Sequence, residues 1–78
     1  MVSNSFPQAQ KQLASLVKAR RLALGISQEE LAHQAGIDRT YASQIERGIG
    51  NPSLKVICGI ADALELEPHN LIATVTKN

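Results

Sequence analysis

Apolar residues recur along this chain at helical spacing and almost nowhere at strand spacing. Leu13, Leu16, Val17 and Leu24 share one stripe of a 3.6-residue period, with Lys11, Lys18 and Arg21 mostly off it. The pattern predicts a first helix from about Gln8, closed by Gly25. Ser27 can cap the next helix, with Glu30 three residues on at the capping-box position. Leu31, Ala32 and Ala35 give that helix a small inward face, and Gly36 stops it after about two turns. Asp38 is the following N-cap. Ala42 and Ile45 point a third helix inward before Gly48 ends it. "GIGNPS" is the one clear loop. Ser53 caps a fourth helix, Leu54 to about Leu64, with Leu54, Ile57, Ile60, Ala61 and Leu64 inward. Glu67-Pro68 opens a short fifth, since proline suits the first helical turn. The expectation is an all-α domain of five helices over residues 8–73. A flexible N-terminus (1–7) and a C-terminal tail (74–78) flank it.

The stretch "SQEELAHQAGIDRTYASQIERG" holds two helix starts eleven residues apart, Ser27 and Asp38. Two short helices about a glycine turn are the sequence form of a helix-turn-helix. Ala32 is small enough for close crossing, Gly36 permits a positive φ, and Ile37 and Ile45 would lock the angle. A fixed angle lets the second helix project into a DNA major groove. Its outward face carries Arg39, Thr40, Ser43 and Gln44, polar and without an acid. Arginine can pair with guanine, glutamine with adenine, and threonine can touch a thymine methyl. Gln28, near a helix N-terminus, could hold a phosphate. Tyr41 is either a half-buried ring with a wet tip or a phosphate ligand. Arg47, beside the loop, is either a solvated charge or a phosphate contact, and the latter is preferred.

Composition narrows the rest. Seventy-eight residues make one domain at most. Phe6 and Tyr41 are the only aromatics, so the core must be aliphatic. The single Cys58 excludes an internal disulfide and reads as an apolar filler. No apolar run would span a bilayer and no signal-peptide pattern is present, so a cytoplasmic protein is expected. The net charge of +1 is uninformative, but its distribution is not. Residues 1–28 carry Lys11, Lys18, Arg20 and Arg21 with no acid, giving +4. Residues 29–47 come to −2 (Glu29, Glu30, Asp38 and Glu46 against Arg39 and Arg47), and residues 48–78 come to −1. His33 and His69 have no ligand-spaced partner, so no metal is expected. Neither a nucleophile with a base nor a phosphate loop is evident. An enzyme and a cofactor are therefore not expected.

Taken together, "RLALGISQEELAHQAGIDRTYASQIERGIGNPSLKVICGIADALEL" resembles the Cro/repressor-type, or XRE, helix-turn-helix family. The matching elements are Arg21, "GISQEELA", "AGIDRTYASQIERG", "NPSL" and "IADAL". The run "DRTY…IERG" is most similar to the small controller proteins of restriction–modification systems. The resemblance implies a five-helix lambda-repressor-like fold whose third helix reads DNA. It implies a homodimer on a palindromic operator, with DNA contacts at the Gln28, Arg39, Thr40, Ser43 and Gln44 positions. It also implies a structural salt bridge between Arg21 and Glu46. Val56, Ile60, Ile72 and Val75 are the expected dimer surface, because so small a core cannot bury every aliphatic residue there. A regulator controlling its own gene is the leading reading. An antitoxin or adaptor, whose main partner is a toxin or other protein, is the alternative. Two departures stand out: the surface is less basic than in many DNA binders, and Ile49 occupies the loop where relatives often carry a polar residue.

Overall fold

The computed structural model describes residues 5–76, with side chains from 5 to 72. Five helices follow one another: α1 (Ser5–Leu24), α2 (Gln28–Ala35), α3 (Arg39–Glu46), α4 (Leu54–Ala63) and α5 (Pro68–Thr76). α2 packs against both α3 and α4, while α1 lies against α3 and α5. Leu13 and Val17 of α1, Leu31 of α2, Ile45 of α3, Ile60 and Ala61 of α4 and Leu71 of α5 meet in one aliphatic core.

The predicted caps form. Ser27, Asp38 and Ser53 each accept a backbone N–H three residues on. The capping box at α2 is only half made. The Glu30 carboxylate accepts from the Gln34 side chain at 2.6 Å, one helical turn away. At the end of α2, Gly36 sits at φ 76°, its N–H bonded to the His33 carbonyl and the Ile37 N–H to that of Ala32. This is the Schellman pattern, and glycine takes it without a Cβ penalty. α4 ends in the same pattern with Glu65 at φ 59° in the glycine position. Close packing also depends on Gly59, where a Cβ would stand 2.7 Å from the Ala35 carbonyl oxygen of α2.

Several boundaries and facings differ from the sequence expectation. α1 begins at Ser5 rather than Gln8. Its first residues are exposed, so they carry no hydrophobic rhythm, and Pro7 is tolerated in a first turn. α5 continues to Thr76, three residues into the expected tail, because docking on α1 outweighs modest β-branched propensities. Leu54 was expected inward but is 64% exposed. It stands at one edge of the inward arc of α4, while Val56 and Ile57 of the same turn pack against the core. Ile60, expected at a dimer surface, is fully buried. It lies on the same arc as Ala61 and Leu64, which is the core arc, so it cannot form an intermolecular face.

Candidate nucleic-acid interface

α3 divides into an apolar and a polar face. Ala42 and Ile45 are buried, and Arg39, Thr40 and Gln44 are exposed on the other side. Ser43 is half-buried between the two faces. The helix starts where Asp38 Oδ1 accepts the Tyr41 N–H at 2.8 Å. That cap satisfies an orphan donor and leaves the first turn clear for Arg39 and Thr40 to project. Ile37 in the preceding turn packs partly against the core, which fixes the angle between α2 and α3.

Glu46, the last residue of α3, anchors the helix to the body. Its carboxylate takes a two-pronged grip from Arg21 of α1, Nε to Oε2 at 2.6 Å and Nη2 to Oε1 at 3.0 Å. The side chains are 11% and 2% exposed, so the pair is shielded from water. Arg21 also donates from Nη1 to the Ile26 carbonyl at 2.9 Å, reaching the α1–α2 turn. The bond to Glu46 raises the Arg21 pKa above its ordinary value, outweighing the opposing effect of burial. One guanidinium thus ties together α1, the α1–α2 turn and the end of α3.

Two polar contacts carry no sequence signature. Gln28 Nε2 donates to Glu46 Oε1 at 3.1 Å, joining the N-terminus of α2 to the same carboxylate. A carboxylate can only accept, so the amide nitrogen of Gln28 faces Glu46 and its second N–H and carbonyl remain for other partners. Gln10 Nε2 donates to the Gly50 carbonyl at 2.7 Å, clamping the loop after α3 to α1. Neither pairing follows a local spacing: the partners are 18 and 40 residues apart. Tyr41 packs its ring partly on the core, and its hydroxyl lies 3.4 Å from the Asn51 carbonyl, a long contact. That geometry favours the half-buried ring with a wet tip. Arg47 is exposed at the C-terminal end of α3.

The interface candidates therefore divide by position. Arg39, Thr40 and Gln44 lie on the projecting face of α3, with Ser43 at its edge. Gln28 and Arg47 both lie at the C-terminal end of that face, Gln28 through its bond to Glu46 and Arg47 as the residue after it. Val56 is half-buried on α4 and Ile72 half-buried on α5. The side chain of Val75 lies outside the described residues.

Comparison with known proteins meets the same elements. A helix-turn-helix family model matches residues 17–71, from the middle of α1 into α5. The control protein C.BamHI of Bacillus amyloliquefaciens is 42% identical over 62 residues, covering 76% of each chain. The crystal structure of the restriction-modification controller protein C.AhdI from Aeromonas hydrophila superposes with a TM-score of 0.76 at 40% identity. That match covers 80% of this chain and 94% of the other. The wild-type restriction-modification controller protein C.Esp1396I gives a TM-score of 0.76 at 32% identity, covering 88% and 90%. An HTH-type transcriptional regulator of Mycobacterium tuberculosis is 35% identical over 57 residues. The match takes in 73% of this chain but only 41% of that protein's length. The chain belongs to the helix-turn-helix family of the XRE type.

Proposed function

We propose that this protein is a sequence-specific DNA-binding transcription regulator. On this reading it acts as a homodimer on a palindromic operator and controls its own gene, as a controller protein would. The observation that carries the reading is the α3 face. It is an acid-free row of exposed Arg39, Thr40 and Gln44 on a helix held rigidly by the Arg21–Glu46 pair. Arg39 and Gln44 are the base readers, with the donor and acceptor sets to address guanine and adenine. Thr40 and Ser43 touch base edges or sugar at the rim. Gln28 and Arg47 reach phosphates near the C-terminal end of α3, and Tyr41 packs beneath. A cytoplasmic location follows from that role.

A homodimer would present two α3 helices about 34 Å apart to successive major grooves. The α4 and α5 surface, with Val56 and Ile72, is assigned to that contact. Similarity to named control proteins supports the narrower controller reading. The test is a mobility-shift titration on DNA from upstream of the protein's own gene, with Arg39→Ala beside the wild type. The expected result is a discrete, salt-sensitive complex that resists competitor DNA, and a folded Arg39→Ala protein that has lost this preference. Equal, weak binding of both proteins to every duplex would remove the reading.

A further inference from the structure

We propose that Lys11 and Lys18 of α1, together with Arg47, form a cationic ledge that seats the phosphate backbone alongside α3. The proposal rests on the DNA-binding reading and extends the contact surface to a helix outside the helix-turn-helix.

The placement follows from helical geometry and three contacts. Residues 11, 14, 18 and 21 of α1 fall within an arc of about 80°, at 100° per residue. Two of them touch the C-terminal end of α3. Arg21 grips Glu46, and a methyl group placed on Gly48 would lie 3.9 Å from Ala14 Cβ. The same point is 4.0 Å from Lys11 Cα. Gln10, next to Lys11, holds the Gly50 carbonyl of the loop that follows. This side of α1 therefore abuts the end of α3 and its exit loop. Lys11 and Lys18 are the exposed rim of that side, one on each flank of Ala14 along the helix axis. Arg47, also exposed, is the residue that closes α3.

Charge in this region is unbalanced. The one acid at the α3 end, Glu46, is consumed by Arg21 and Gln28. Among the described residues, neither lysine nor Arg47 is in an ion pair. Residues 1–28 contain no acid to offset the lysines. Three free cations bordering one end of a projecting helix match a line of phosphates bordering a major groove. The ledge also resolves the weak overall charge of +1, because the positive charge is concentrated where the backbone would pass.

The experiment is the salt dependence of binding to a 30-base-pair duplex recovered by selection from a random pool. Wild type is compared with the Lys11→Gln/Lys18→Gln double variant, with melting curves on both. Each phosphate contact contributes about 0.9 to the slope of log K against log salt. The double variant should lose about 1.8 of that slope, weaken all duplexes alike and keep the wild-type base preference. An unchanged slope with tight binding overturns the ledge and leaves the proposed function standing. An unchanged slope with a lowered melting temperature also overturns it, since the lysines would then serve the negative end of α3. If the wild type recovers no duplex at all, the proposed function fails and the ledge with it.

Discussion

At the scale of single residues, Glu46 has more placed on it than any other side chain near α3. It neutralises a shielded arginine, closes the gap between α1 and α3, and orients the Gln28 amide. Truncating one partner of a buried ion pair strands the other and costs about 3–5 kcal/mol. A domain this size holds a total of roughly 4–12 kcal/mol, so the loss is a large share of it. Glu46→Ala should therefore lower the denaturation midpoint sharply, and loss of DNA binding in that variant would report unfolding. A melt as stable as wild type would contradict the structural role. Arg21 adds no pH sensitivity over the working range. Its pKa is raised on folding, so its contribution is fully present below the unfolded value. That contribution is lost only as pH climbs through the still higher folded value.

At the scale of elements, the ends of helices carry strain that can be measured. Glu65 holds a left-handed conformation at the close of α4, where α2 uses Gly36 for the same pattern. A left-handed non-glycine residue costs about 1–2 kcal/mol, partly offset by glycine's greater freedom when unfolded. Glu65→Gly should raise stability by roughly 0.5–1 kcal/mol in urea titration. A destabilised variant would mean that the Glu65 side chain contributes more than its backbone costs. The caps at Ser27, Asp38 and Ser53 and the stop at Gly36 were legible because each depends on one residue type at one local position. The end of α4 near Leu64 was also placed, but the left-handed turn at Glu65 that closes it was not, because nothing in "LELE" marks one. The early start of α1 was hidden for a similar reason, its first turn being exposed and polar apart from Phe6. Leu54 and Ile60 show the limit of periodicity. Both fall within the inward arc of α4, but six residues set them about 120° apart at its two edges, and one edge is an exposed leucine while the other is a fully buried isoleucine. The exposed polar face of α3 was legible from its pattern. The Gln28–Glu46 and Gln10–Gly50 bonds were not, since they join side chains brought together only by the tertiary fold.

At the scale of the whole molecule, the proposed function needs two surfaces to work together, one toward DNA and one toward a second copy. Placing the dimer contact on α4 and α5 keeps it away from α3, so both could be engaged at once. Half-buried Ile72 is the described residue that tests this assignment with least damage to the core. Ile72→Asp should shift the protein to monomer in sedimentation equilibrium and weaken operator binding, while helix content stays. A variant that remains dimeric would move the contact elsewhere. Coupling dimerisation to operator occupancy would also make regulation steep in protein concentration.

The central claim is that α3 reads base sequence, and parallel selection from a random duplex pool tests it most directly. Wild type and Arg39→Ala would be carried through the same rounds. The account predicts a palindromic consensus for the wild type, with half-sites about 10 base pairs apart. Arg39→Ala should relax one symmetric pair of positions by about 1–3 kcal/mol and keep the rest of the consensus. No enriched sequence, or the same consensus from both proteins, would contradict it.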